Sequence, residues 1–489
     1  MAFERAVIIG GGVAGLATAL SLHRLGGEVV VVERDPEPPD ISPDRAFLEW
    51  SRPGVPQFRH AHLFLGRLQA LVRDKYPELY ERLLAAGFTL SNLEEMLPAS
   101  HAGIAPMPGD EDLVHLWGRR ATFEYVLRRY VGDLPSVRFV HSAHVDGLAT
   151  EADTRAVRVT GVEYTRHGKR ESLRASFVVD ASGKRSRSAE WLRALGVRVD
   201  VEEKPSGFVY ACRHYRLKDP QNEPPRRDGG GNFDCLGYVT FYAEHGHYAL
   251  TFGCPTDEKE LAHALHRTEG FEALCNRLPV LRHWTSQSEV VSKVLGAGRF
   301  ENRWIRYGAR SGPALLGFFA VGDSQVETNP MYGRGCATAF VQADTLAEVL
   351  TTNDDAREQM SLYYAAVRKH LRASFDLSVG TDRMYHVRAR LARGLPVPLS
   401  GRFLNYAYEK AWLPALHTST LVAREMIKAM QMREVSSLGV RLAVAAEILR
   451  AGFRSVLGRS RAPELPAGPP LREVLNGLPV GSHDGIASP

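Results

Sequence analysis

Cysteine is scarce: Cys212, Cys235, Cys254, Cys275 and Cys336 are the five in 489 residues. The count is odd and no two stand in Cys-x-x-Cys spacing, which indicates neither a disulfide framework nor a zinc site. Reduced thiols and a cytoplasmic location are the expectation. No run of about 18 apolar residues occurs, so no transmembrane helix is expected. The opening Met1-Ala2-Phe3-Glu4-Arg5 enters a strand without the apolar stretch and cleavage site of a secretory signal. Neither sign of charge dominates: 61 basic against 56 acidic residues give +5. That suits an anionic ligand, but no dense Lys/Arg run interleaved with aromatics points to nucleic acid. Internal repeats and a second Gly-x-Gly-x-x-Gly are also missing, which argues against a separate nicotinamide-binding domain.

What is there begins at once. Ala6 to Ile9 is a short apolar run, Val13 to Leu25 has helical periodicity, and Glu28 to Val32 is a second apolar run closed by Glu33. Strand, tight turn, helix and strand within about 30 residues make a βαβ unit. Further helices are read at 62–74, 78–86 and 121–130, and strands at 137–140, 157–164 and 172–179, the last two as a hairpin across Arg166 to Arg170. Strand-like alternation returns at 208–217 and 238–252, separated by a Pro- and Gly-rich loop, 219–231. Leu315 to Val321 reads as a buried strand, and after Gln342 the chain is mostly helical to Leu457, with a loose tail from Arg459.

Gly10-Gly11-Gly12-Val13-Ala14-Gly15 fits Gly-x-Gly-x-x-Gly. Gly10 turns the chain out of the strand, Gly12 lets the backbone approach a pyrophosphate, and Gly15 lets helix pack on strand. With Val13 and Ala14 the turn opens a helix, whose free N–H groups favour an anion. Glu33 stands at the end of the next strand, where a carboxylate accepts from a ribose, with Arg34 beside it. The expectation is a bound dinucleotide, which the resemblance below makes FAD.

Two further motifs follow. Phe319-Ala320-Val321-Gly322-Asp323-Ser324 precedes Asn329-Pro330-Met331-Tyr332-Gly333-Arg334-Gly335-Cys336-Ala337, and Val178-Val179-Asp180-Ala181-Ser182-Gly183 lies between these and the glycine turn. In these residues the chain resembles the FAD-binding superfamily that includes p-hydroxybenzoate hydroxylase, flavin-dependent halogenases and geranylgeranyl reductases. The resemblance covers residues 1–70 and 110–350. It implies that Asp323, after Gly322, contacts the flavin ribityl chain. Pro330, Gly333, Arg334, Gly335 and Cys336 then lie at a helix N-terminus facing the ring. Ser182-Gly183 stands where aromatic hydroxylases carry Asp-Gly, a form similar to the halogenase and reductase branches. Direct reduction by NAD(P)H and a separate flavin reductase therefore both stay open. Asp180 is either a flavin ligand or a turn-former. Arg120 resembles the start of the Arg-x-x-Leu helix that contacts FAD, and Arg52, with Gln57, the segment where an Arg meets the pyrophosphate.

Arg59-His60-Ala61-His62 has no third metal ligand nearby. His60 and His62 are the candidates for a proton donor or a substrate hydrogen-bonder beside the flavin, with no metal expected. The region from Val440 to Leu457 mixes apolar residues with Arg441, Arg450 and Arg454. It reads as an amphipathic helix on the protein's own core with a solvated basic face. Weak contact with a membrane surface is the alternative.

The expected fold is α/β. A discontinuous Rossmann-like FAD-binding domain (1–60, 110–200, 300–355) accompanies a β-rich substrate domain (61–109, 201–299) and a helical C-terminal region (356–489). The resemblance implies an FAD-dependent monooxygenase that acts on a hydrophobic or aromatic small molecule with O2, via a flavin C4a-hydroperoxide. The alternatives are a geranylgeranyl reductase-like enzyme working on a C–C bond and a halogenase. The catalytic Lys of a halogenase is not located, and no Trp-x-Trp-x-Ile-Pro stretch occurs.

Overall fold

In the computed structural model the described residues are 3–152, 155–224, 226, 229–233, 236–308, 313–434 and 436–458. Cys235 and the tail from Arg459 lie outside them, as does part of the 219–231 loop.

The apolar runs Arg5–Ile9 and Glu28–Val32 pair in parallel, Ile9 opposite Val32. Both are buried along nearly their whole length, as continuous apolar strands in a parallel sheet must be. The sheet has five strands, in the order 318–320, 177–180, 5–9, 28–32, 137–140. Helices cover its faces: Val13–His23 packs against Arg334–Thr352 and Arg120–Gly132. Every strand runs the same way. Their carboxyl ends at Ile9, Val32, Asp180 and Ala320 therefore meet at one edge, where open α/β sheets bind ligands.

A second sheet is antiparallel, with strands 230–233, 236–242, 247–255, 208–217 and 288–290 in that order, and 295–297 also pairing with 208–217. One face of it is packed by Leu261, Leu265, Phe271, Leu274, Leu281 and Trp284 against Tyr248, Leu250 and Phe252. These side chains come from three helices, Lys259–Leu265, Thr268–Arg277 and Pro279–Ser286. The sequence did not announce them, because each is too short to sustain a helical period.

Three other expectations change. The segment 172–179 is not one strand. Lys169–Arg174 makes the expected hairpin with Ala156–Arg166, and Phe177–Asp180 crosses into the parallel sheet. Ala143–Ala152, unread because polar residues and Gly147 interrupt it, is a strand against Ala156–Arg166. Gly66–Lys75 and Pro77–Ala85, assigned to the substrate part, bury Leu68, Val72, Leu79 and Leu83 in the core of the parallel sheet. The long helix Ala356–Ala392 joins that core through Met360, Tyr363, Val367, Leu371 and Phe375, at i, i+3/i+4 spacing.

Candidate functional site

A groove runs along the carboxyl edge of the parallel sheet. It is lined by Gly10, Gly12, Val13, Ala14, Glu33, Arg34, Gln57, Arg120, Gly183, Gly322, Asp323, Gly335 and Cys336, all of them expected from the sequence. Gly15 stands behind the turn, where a Cβ would come 1.8 Å from the Gly10 carbonyl oxygen. Gly12 faces the groove: its Cβ would meet only Val55, at 3.8 Å. Helix Val13–His23 has no side-chain cap on its N-terminus, so its first N–H groups are free for an anion. The helix from Arg334 likewise starts without a side-chain cap.

The residues fit an FAD. Free N–H groups and an open glycine face would hold the pyrophosphate. The Asp323 carboxylate lines the groove and, among the described residues, accepts no side-chain hydrogen bond, which leaves it as an acceptor for ribityl hydroxyls. Burial raises the Asp323 carboxyl above its ordinary value, against the pull of Arg120, Arg303 and Lys184. Glu327, beside it, is pushed up to about 7 by burial and then by Asp323, although Lys184 lies 2.9 Å and Arg303 3.2 Å away. Arg120 also lines the groove: its guanidinium lies 3.9 Å from the Cys336 sulfur and 3.6 Å from Glu124, and its Nε is buried without a partner.

Five expected cofactor residues sit elsewhere. Arg52 does not line the groove. It is buried beneath the turn between Glu33 at 3.0 Å, Asp35 at 2.9 Å and Glu124 at 3.0 Å. Burial works against its charge, but the three carboxylates outweigh it and raise its pKa. Its bonding to the Gly11 carbonyl makes it a brace for the turn. Glu33 does line the groove, yet one oxygen accepts from Gly11 N at 2.7 Å and the other from Asp35 N at 2.9 Å. Only its remaining lone pairs are left for a ribose. Asp180 is buried as a turn-former, accepting from Ser182 N at 2.9 Å, Ser182 Oγ at 2.5 Å and Ser186 Oγ. Pro330, Gly333 and Arg334 are not in the groove wall. Arg334 is buried against Tyr332 and donates to Ser378 Oγ.

That last contact reveals a support the sequence did not show. Beyond Phe375 the inward stripe of the long helix turns polar, at Ser378 and Asp382. The Asp382 carboxylate accepts from Asn302 Nδ2 at 2.7 Å, Asn329 Nδ2 at 2.8 Å and Tyr332 OH at 2.5 Å. Ser378 and Asp382 thus grip the Asn329–Arg334 turn at both ends.

The sequence also missed the far end of the groove, lined by Ala143, His144, Val145, Arg185, Arg187 and Trp191. The basic cluster after Gly183 carried a signal for Arg185 and Arg187. Ala143 to Val145 carried none, because their strand was not read.

His60 and His62 lie near Arg120, with His60 against the strand Phe208–Leu217 on the face opposite the Tyr248–Phe252 core. His60 Nδ1 lies 3.6 Å from the Cys212 sulfur, and its ring meets Tyr210 edge-on. Burial, and then Arg120, lowers His60 to about 4 and His62 to about 3. Burial lifts the Cys212 thiol to about 12, so a protonated thiol faces a neutral imidazole. His62 Nε2 is buried without a partner. Among the described residues no group of three or more His, Cys, Asp or Glu could hold a metal ion.

A βαβ glycine turn, a groove along the sheet edge and an acceptor at Asp323 define the class: this is an FAD-dependent oxidoreductase. Residues 5–108 match the model of the family described as FAD dependent oxidoreductase. The chain is 28% identical to Protein Rv3254 of Mycobacterium tuberculosis over 371 residues, 72% of this chain and 74% of the other. It is 25% identical over 487 residues to kynurenine 3-monooxygenase of Salinispora tropica, with 92% of this chain and 98% of the other covered. Its fold matches the flavin-dependent brominase Bmp2 with TM-score 0.59 at 16% identity, over 93% of this chain and 99% of that one.

Proposed function

We propose that the protein is an FAD-dependent monooxygenase that hydroxylates or epoxidises a hydrophobic or aromatic small molecule. FAD, when bound, supplies the redox chemistry and the reaction with O2. The chain's own residues bind, orient and exclude water. The observation that carries the reading is the pair of uncharged imidazoles beside Arg120. His60, His62, Tyr210 and Cys212 make a wall of neutral polar atoms on a sheet backed by an apolar core. Such a wall accepts an apolar ring and offers it hydrogen bonds without an acidic proton. With the Cys212 thiol donating to His60 Nδ1, His60 Nε2 carries a proton toward a substrate oxygen. His62 Nε2 is the free position for a second hydrogen bond. Arg120, 10% exposed at its side chain, adds a fixed positive charge where negative charge develops during the reaction. The Asn329–Arg334 turn, held by Asp382 and Ser378, keeps the helix start at Gly335 and Cys336 aimed at the groove.

The likeness to a kynurenine 3-monooxygenase over nearly the whole chain supports this reading. Ser182-Gly183 in place of Asp-Gly supports a separate flavin reductase beside NAD(P)H itself as the electron source. The four described cysteines are buried and form no disulfide, which supports a reducing, cytoplasmic setting. The test is anaerobic reduction of the purified holoprotein by NADPH or NADH, followed by air and a panel of aromatic substrates. Substrate-dependent oxygen uptake matched by a product gaining one oxygen atom supports the reading. Turnover that needs no oxygen moves a C–C reductase ahead, and product that appears only with halide moves a halogenase ahead.

A further inference from the structure

We propose that the face formed by helices Leu399–Ala407 and Leu438–Val456 docks the protein on the surface of an anionic lipid bilayer. The sequence pattern of the second helix suggested apolar residues turned inward and arginines outward. In the structure much of the apolar surface faces solvent together with the arginines. Only Val444, Ile448 and Ala451 pack inward, against Ala415 and Val422, while Gly452 lies against Ala411. Leu438, Leu442, Leu449, Phe453 and Val456 point to solvent, Leu449 73% and Phe453 69% exposed. At 3.6 residues per turn these five fall within an arc of roughly 60°. Arg441 stands roughly 60° outside one edge of that arc and Arg450 roughly 60° outside the other, with Arg454 roughly a further 40° round on Arg450's side. The first helix repeats the arrangement in small, with Leu399 83% and Phe403 73% exposed and Arg402 between them. Both helices pack against the Tyr408–Trp412 segment that joins this region.

An exposed apolar stripe this long is a contact surface. Its charge says with what. The only acid on the second helix is Glu447, already paired to Arg450 within it. A second copy of the chain on this face would set arginine against arginine. An anionic bilayer instead takes the leucines and phenylalanines at the acyl boundary, while the arginines reach up to the headgroups. No helix among the described residues is long and apolar enough to cross a membrane, so the contact lies in the plane of the surface.

The test is co-sedimentation of the full-chain holoprotein with sealed vesicles of phosphatidylcholine, with and without phosphatidylglycerol. Binding to the phosphatidylglycerol vesicles is expected, weakening as salt is raised. Leu449→Glu with Phe453→Glu should lower it at least tenfold, and Arg441→Gln or Arg454→Gln about fivefold each. FAD content and melting temperature should be unchanged in all of them, because these side chains are exposed. Failure of the wild type to sediment with anionic vesicles overturns the proposal, as does unchanged binding by the Leu449/Phe453 variant. A dimer that the same variant dissolves, without vesicle binding, assigns the face to a second copy. Vesicle binding that appears only when residues 459–489 are removed assigns it to the chain's own tail. Either result overturns the proposal.

Discussion

At the scale of single residues, function rests on charges held away from their ordinary values. Glu327 is held up to about 7 by burial and by Asp323. Its folded state therefore keeps a proton that the unfolded state loses near the ordinary carboxylate value. The stability it contributes is present at low pH and is lost as pH rises through that window. The apoprotein should melt at a lower temperature at about pH 8 than at about pH 5.5, and Glu327→Gln should flatten that slope. An unchanged slope in the variant would show that Lys184 and Arg303 keep Glu327 ionised. His60 and His62 give the opposite kind of prediction. With values of about 4 and 3, neither titrates near the usual 6.5. The pH profile of kcat/KM for the proposed reaction should carry no histidine limb between about pH 5.5 and 8. A limb near 6.5 that vanishes in His62→Gln would contradict the neutral pair. The residues lining the groove were legible because a glycine turn and a Gly-Asp strand end are local patterns. Arg52 was misplaced because its partners, Glu33, Asp35 and Glu124, are brought around it only by the fold.

Among the elements, the βαβ unit announced itself, since each strand is apolar throughout and the turn between is all glycine. The short helices of 259–286 and the polar strand 143–152 did not, since neither sustains a period. The long helix 356–392 was legible as a helix but not as part of the site. Its apolar stripe predicts a core face, and nothing in spacing says that the same stripe, continued to Ser378 and Asp382, reaches the Asn329–Arg334 turn. Asp382→Ala leaves the Asn302, Asn329 and Tyr332 donors buried without an acceptor. At about 1–3 kcal/mol for each orphaned group, urea unfolding should show a loss of about 3 kcal/mol or more, with faster release of flavin. Stability within about 0.5 kcal/mol of wild type would mean the turn holds itself.

On the scale of the whole molecule, the two largest cores belong to the two sheets. One surrounds the parallel sheet and carries the groove, and the other backs the antiparallel sheet and carries the His60–Cys212 wall. The α/β class and the division between these sheets were legible from periodicity. The ownership of 66–85 and of the long helix was not, because an amphipathic helix shows that it packs but not on which core. The central claim is that FAD lies on the glycine turn along the sheet edge. The most direct test is the flavin released by denaturing purified wild type and Gly12→Val, a side chain placed where the groove is open. The account predicts about one FAD per wild-type chain and almost none in a variant that still melts cooperatively. A Gly12→Val protein that keeps its full complement of FAD would contradict it.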